Sequence, residues 1–472
     1  VDNGVGPHGL ITGPGSPDLI RTILLNLATT HTPDDASFLL LNTTAPPATE
    51  RSPAVGRLPH TELALTADRL DLLPRVIEVV EGELSRRKRL LTAAGCSSHS
   101  HYLRGPVSRP PMPALLLVCH DFPALFDSHP DLLALVRRIG WLGRARGIHL
   151  LLTAAEVTES GLHDLAGYLA FRIAAPTSGS PGLLHTGTDR PPVSFTRWDR
   201  PAAPLTVSAP THRIWLPPLG ESPTLDDLAG PIVTDPDHGP RFADESLHGT
   251  LQIPIAVLDK PREHRRDIIW LPVAGHVAVV GGPGSGRTTF LRTAIAALAL
   301  SHAPPAVRIL LPGSVATSDY QRIPLVHGIG EPRDLYAHLD APNGDTIVLV
   351  DDWPEFWANR PEWHDLLVEI ARRGTSRGVH LIATATHWSD FDPRLTDHFT
   401  SRLDLLGADR PGRGVVASPS GPLHFLLAHP ELSSTPHDEL IRSLGTDHCA
   451  ECGFTYTSVS TSDLPARLRA AG

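Results

Sequence analysis

Residues Gly281–Thr289, "GGPGSGRTT", follow the spacing G-x-x-x-x-G-K-[ST] everywhere except at Arg287, which stands where lysine belongs. Backbone N–H groups of such a glycine turn, with the first turn of a following helix, form a nest for phosphate oxygens. Gly281, Gly282, Gly284 and Gly286 allow the unusual dihedrals, Pro283 and Ser285 complete the turn, and Thr289 continues into the helix. Thr288 supplies the hydroxyl that holds Mg²⁺ in loops of this type. Asp351 closes the apolar run "TIVLVDD" and is the expected acidic partner of that metal, with Asp352 in the place of a water-activating carboxylate. Arg287 keeps the positive charge without the shape, because a planar fork cannot curl over β and γ phosphates as a compact ammonium does. The expectation is a site for ATP and Mg²⁺ with weak or absent hydrolysis. A bare strand-to-helix turn is the alternative. Arginine retained by drift is a third account, and it too implies binding without fast turnover.

The elements that must carry this loop are an apolar run before it ("HVAVVGG") and a helix-period segment after it ("TTFLRTAIAALAL"). "VRILLP", "TIVLVDD" and "VHLIATA" follow as short apolar runs bounded by polar or turn residues, the pattern of strands buried on both faces. Such runs alternating with helices predict a doubly wound, mainly parallel sheet, with the glycine loop and the aspartates beyond the carboxyl ends of the strands. The same organisation occurs earlier in the chain. "GPGSPDLIRTILLNLATTHTP" (13–33) matches "GPGSGRTTFLRTAIAALALSHAP" (282–304) with two residues missing, and "RGIHLLLTA" (146–154) matches "RGVHLIATA" (377–385). Between them His120 and Asp121 align with Asp351 and Asp352. The chain therefore holds two copies of one domain, a tandem repeat, over 1–202 and 268–432. A proline-rich structured linker spans 203–267, and a tail spans 433–472. In the first copy Pro17 follows Ser16 at once and removes an N–H donor from the nest, so this copy is expected to be degenerate.

The composition sets outer limits. A chain of 472 residues with 41% hydrophobic residues and mean hydropathy near zero reads as globular, with no apolar run long enough to span a membrane. A formal charge of −10 argues against a protein that mainly wraps nucleic acid. Four cysteines exclude a disulfide framework and suggest a reducing compartment. Arginine carries nearly all the positive charge, Lys88 and Lys260 being the only lysines.

Several stretches together resemble the tandem ATPase domains of the FtsK/SpoIIIE superfamily, and specifically the EccC component of actinobacterial type VII secretion. They are "GPHGL" (6–10), "GRLPH" (56–60), "SRRKRLLTAAG" (85–95), "HPDLLALVRRIGWLGRARGIHLLL" (129–152), "RIWLPPLGESPTLDDL" (213–228), "HVAVVGGPGSGRTTFLRT", "VLVDDW" and "RGVHLIATATHW". The resemblance implies an α/β fold of two P-loop NTPase domains, RecA/FtsK-like, corresponding to the family's ATPase domains one and two. It implies a cytoplasmic location, with attachment to the inner face of the membrane through partners or a further N-terminal segment. Its implied partners are small helical secreted proteins, other secretion-system subunits and further copies in a ring. The family's first domain normally has an intact loop and an Asp-Glu strand end; both are broken here, which points toward a pseudo-ATPase in that copy. A DNA translocase of the same superfamily and a nucleotide-free scaffold stay open as alternatives; the acidic balance argues against DNA.

Arg172 and Arg402 occupy equivalent places in the two copies, and in ring ATPases an arginine can reach into a neighbour's site; a sheet-end arginine explains them equally. In "HCAECGF", His448, Cys449 and Cys452 offer three zinc ligands where a closed structural site needs four.

Overall fold

The computed structural model describes residues 6–43, 55–106, 108–177, 179–186, 190–196, 209–236, 238–304, 306–313, 318–333, 335, 344–419 and 421–445. The chain divides into two compact units, Val1–Leu216 with Pro261–Arg265, and Pro217–Lys260 with Arg266–Gly472. His448, Cys449 and Cys452 lie outside the described residues.

In the first unit the elements are β1 (His8–Thr12), α1 (Ser16–Thr30), β2 (Ala36–Thr43), β3 (Thr61–Thr66), α2 (Leu73–Ala93), α3 (His99–Leu103), β4 (Ala114–Cys119), α4 (Phe122–Ser128), α5 (Pro130–Arg146), β5 (Ile148–Ala154), β6 (Phe171–Ala174), β7 (Gly182–Thr186) and β8 (Val193–Phe195). The sheet order is β3-β2-β4-β5-β1-β6-β7-β8. It is parallel from β3 to β6 and antiparallel through β7 and β8. Every residue of β5 is buried, as its uninterrupted apolar run requires when helices cover both faces. Alternate side chains feed two cores: Leu150 and Leu152 pack with residues of α2, α4 and α5, while Leu151 packs with Leu19, Ile20 and Leu24 of α1. Ile214 is buried in the first of these cores, and the N–H groups of Ile214 and Trp215 both reach Glu62 Oε2, at 3.2 and 3.4 Å.

The second unit contains α6 (Leu225–Ala229), β9 (Ile232–Asp235), β10 (Gly239–Phe242), β11 (Gln252–Lys260), β12 (Arg265–Pro272), β13 (His276–Val280), α7 (Arg287–Ser301), β14 (Val307–Pro312), β15 (Val326–Ile329), β16 (Asp345–Val350), β17 (Val379–Ala385), β18 (Phe399–Leu405), β19 (Arg413–Val416) and β20 (Leu423–Leu427). Helices Trp353–Asn359 and His364–Arg373 lie between β16 and β17. The sheet order is β12-β11-β20-β19-β18-β13-β17-β16-β14-β15. The block from β18 to β15 is parallel, and β19, β20 and β11 are added antiparallel, so the sheet is mixed. The proline-rich stretch 203–267 thus contributes α6, β9, β10 and β11 to this unit. The β-branched run "QIPIAV" explains β11: Ile253, Ile255 and Ala256 are fully buried, and Ala256 pairs with Leu427. Among the described residues no helix is long and apolar enough to cross a membrane.

Candidate nucleotide site

The loop Gly281–Gly286 leaves β13 at Val280 and enters α7 at Arg287. The Gly281 N–H donates to Ala385 O at 3.0 Å, tying the loop to the end of β17, and the Ser285 N–H donates to Gly282 O at 3.1 Å. Gly284 and Gly286 adopt φ of 76° and 108°, conformations that a side chain would strain. A Cβ on Gly286 would also lie 3.0 Å from Gly412 N, because the Gly412 N–H donates to Ser285 O at 2.8 Å and holds the following turn against the loop. Gly282 faces the other way, with nothing within 4 Å of a Cβ built on it. The loop is therefore fastened from behind and open in front. The first N–H groups of α7 have no carbonyl four residues earlier within the helix, and α7 has no side-chain cap.

The acidic strand end stands beside this opening. Thr288 Oγ1 donates to Asp351 Oδ2 at 2.9 Å, and Thr384 Oγ1 donates to the other oxygen, Oδ1, at 2.7 Å. Thr384 Oγ1 also accepts the Asp352 N–H at 2.9 Å. Asp352 sits at φ 52°, ψ 74°, a left-handed conformation that Asp tolerates better than most residues. Pro354 then enters the first turn of the next helix, where its missing N–H is harmless. Arg287 extends across the strand ends: Nη1 lies 3.3 Å from Thr386 Oγ1 and Nη2 lies 3.3 Å from Asp352 Oδ2. Its side chain is 11% exposed and that of Asp352 38%.

These residues fit a nucleotide phosphate and its Mg²⁺ on three counts: an open glycine cradle at a helix N-terminus, the adjacent hydroxyl and carboxylate of Thr288 and Asp351, and the buried Ser285 Oγ, which has no hydrogen-bond partner. The sequence pattern brought together Gly281–Thr289, Asp351 and Asp352. It missed Thr384 and Thr386, although Thr384 sits inside one of the repeat's anchors, aligned with Thr153.

In the first unit the equivalent turn is shorter: three residues separate Thr12 from Ser16, against six between Val280 and Arg287. Its Gly13 N–H also reaches the neighbouring strand end, at Ala154 O (3.1 Å). A Cβ on Gly15 would lie 2.6 Å from Pro176 O, and one on its aligned partner Gly284 3.0 Å from Ala408 Cβ, so both turns pack on the residues that follow the neighbouring strand and differ in length. His120 stands where the second unit has Asp351, and its Nδ1 lies 3.4 Å from Thr153 Oγ1. Burial lowers its pKa, favouring the neutral ring. Asp121 repeats the left-handed turn of Asp352, at φ 47°.

The two arginines in equivalent places hold equivalent register: Arg172 of β6 pairs with Leu10, and Arg402 of β18 with Ala278. Arg172 is 3.6 Å from Glu159, and Arg402 stacks 5.5 Å over the Trp388 ring. Both have partners within their own unit.

Comparison with known proteins agrees with this architecture. Residues 251–341 match the FtsK/SpoIIIE family. The ESX secretion system protein EccC of Thermomonospora curvata is 28% identical over 588 aligned positions, which cover 93% of this chain and 44% of that protein. The chain thus spans less than half the length of this curated relative. The solved cytoplasmic domain of the Thermomonospora curvata type VII secretion ATPase EccC superposes with a TM-score of 0.79 at 27% identity, covering 94% of this chain and 63% of that one. A structure of EccC ATPases 2 and 3 from the same organism, in complex with a signal sequence peptide, shares the fold with a TM-score of 0.54 at 18% identity, covering 91% of this chain and 89% of that one. The chain carries a domain of the FtsK/SpoIIIE family and is a homologue of EccC along 93% of its length.

Proposed function

We propose that this chain is an ATP-binding component of a type VII secretion assembly, in which the second unit binds ATP with Mg²⁺, the first binds none, and hydrolysis is slow or absent. The observation that carries the reading is the 2.9 Å contact of Thr288 with Asp351 at the mouth of an open glycine loop. Gly281–Thr289 would hold the phosphates through backbone N–H groups, and Thr288 and Asp351 would hold the Mg²⁺. Bound Mg²⁺ neutralises phosphate charge. Two features of the chain argue for slow turnover. Arg287 is paired with Asp352, so the cation and the carboxylate expected to serve the reaction occupy each other. Asp352 is also one methylene shorter than the usual glutamate and stops about 1 Å or more short, a misplacement able to cost on the order of 10²-fold.

The proposed cargo is a small helical secreted protein, whose apolar face at i, i+3, i+4 and i+7 suits a hydrophobic groove and needs no hydrolysis for capture. The signal peptide complex of EccC ATPases 2 and 3 supports peptide recognition on this fold. Other secretion subunits, further copies in a ring with Arg172 or Arg402 reaching a neighbour, and a cytoplasmic place at the inner membrane face complete the proposal. Titration calorimetry with ATP and Mg²⁺ tests its centre. One site per chain is expected, lost in Arg287→Ala combined with Thr288→Ala; two sites, or binding that survives the double substitution, overturns it.

A further inference from the structure

Far from the loop in sequence, the first unit brings together a buried glutamate, a buried histidine and a half-buried one. Glu83 lies on α2 with no side-chain exposure. Its Oε1 accepts from Arg87 Nε at 2.6 Å and Arg86 Nη2 at 3.1 Å, and its Oε2 accepts from Arg86 Nε at 2.7 Å. His264 also has no side-chain exposure, and its Nδ1 stands 3.6 Å from Glu83 Oε2. The other ring nitrogen, Nε2, lies 3.0 Å from Val79 O. A carbonyl can only accept, so Nε2 carries the proton and Nδ1 is left with a lone pair directed at the cluster. Nδ1 of His264 and Nε2 of His212 are both buried without a hydrogen-bond partner. The two rings are 5.8 Å apart, and one donor atom from each of Glu83, His212 and His264 lies within 4.8 Å of the others.

We propose that Glu83, His212 and His264 form a structural site for a divalent transition metal of the zinc class. Two imidazoles and a carboxylate are ligands that Zn²⁺ accepts in tetrahedral geometry, at about 2.0–2.2 Å. Ligand atoms at that distance stand roughly 3.3 Å apart, so Nδ1 of His264 and Oε2 of Glu83 are nearly spaced for it, and His212 closes by an ångström or so. Water supplies the fourth position. The backbone is shaped to bring His264 here. A Cβ on Gly82 of α2 would lie 2.1 Å from Arg262 O, so only glycine lets residues 261–265 approach the helix, and His264 itself adopts φ 55°. Burial lowers the pKa of both histidines, that of His212 to about 4, which keeps the rings neutral as ligands must be.

The charges facing the site are those of Arg86 and Arg87, both on Glu83. They orient the carboxylate as hydrogen-bonded neighbours of a ligand do, and their repulsion of a cation lowers the affinity. Metal at this place would pin residue 212 and residues 261–265 to α2 within the first unit.

The test uses the full chain carrying Cys449→Ser and Cys452→Ser, which removes the competing thiols, stripped with a chelator and titrated with Co²⁺ and Zn²⁺. One equivalent should be taken up, with the visible absorption of tetrahedral Co²⁺ and a raised melting temperature. His212→Ala, at a partly exposed position, should weaken uptake by ~10²-fold while leaving metal-free melting and ATP binding unchanged. No saturable uptake, or equal uptake by the His212→Ala chain, overturns the site and assigns any bound metal to other histidines. Glu83→Gln, read by the Co²⁺ spectrum if it folds, should shift the band by replacing a charged ligand; an unchanged spectrum counts against the site.

Discussion

The β1–α1 turn of the first unit and the β13–α7 loop of the second begin from the same strand and the same first hydrogen bond, and they end as different objects. In both, a glycine N–H binds the alanine carbonyl that closes the neighbouring strand, Ala154 in one and Ala385 in the other. Beyond that point the second unit spends six residues before its helix, with Gly282 facing open space, whereas the first spends three. Across the strand ends the threonine is kept, as Thr153 and Thr384, but it meets a half-buried His120 in one unit and Asp351 in the other. The comparison teaches that the scaffold and the turn it carries vary separately. Sheet order, helix placement and the left-handed aspartate survive the loss of three loop residues, because none of them depends on phosphate.

The largest effect should come from Thr288 and Asp351, the pair proposed to hold Mg²⁺ in the second unit. Thr288→Ala combined with Asp351→Asn removes a charge-assisted contact, and calorimetry should show Mg²⁺-dependent ATP affinity falling on the order of 10²-fold; an unchanged affinity would erase the functional difference between the two turns.

Acid should act on both units alike. His8 and His276 begin equivalent strands, and each Nδ1 accepts a strand N–H, from Leu150 at 3.0 Å and Leu381 at 2.9 Å. Burial first, and then the neighbouring His149 or His380, pushes each pKa from 6.5 to about 4. The unfolded chain then binds more protons between those values, so stability is full above pH 6.5 and declines as pH falls toward 4. At pH 5 each of these two histidines should cost its unit about 2 kcal/mol, the other histidines with lowered pKa adding to that loss. Thermal melts across pH should show this, and His276→Gln should flatten the dependence of the second unit only.

A smaller change is expected from Arg287→Lys. Freeing Asp352 and restoring a compact ammonium should raise ATP turnover by about tenfold. A slower rate would mean that arginine is a working member of the loop. The least effect of all is expected from inserting Gly-Arg after Ser16 together with Pro17→Thr. The lengthened turn should still bind no ATP, because Thr12 stands where the second unit has Gly281 and His120 where it has Asp351; calorimetric binding by this variant would show that the short turn and its proline alone separate the units.

Much of this was legible beforehand. The glycine loop, Asp351, Asp352, the repeat and the buried strands are local signals: fixed spacing, a strand end, or an apolar run. Thr384 and Thr386 were not legible as site residues, since they come within reach of Asp351 and Arg287 only when β17 lies beside β13 and β16. The proline-rich stretch 203–267 hid β11 for a related reason, because a strand paired with β20 has its partner more than a hundred residues away.

What the sequence determined by itself is the pair of mainly parallel sheet units and the presence of one loop with phosphate-binding spacing. Those follow from patterns shorter than a single strand-loop-helix unit, where the chain's own dihedral and burial preferences decide. Only tertiary structure decided that Arg287 is held by Asp352, that Gly15 packs on Pro176, and that Glu83, His212 and His264 come together. Each of these depends on side chains meeting across long sequence separations, and contact there is set by packing, which spacing along the chain does not encode.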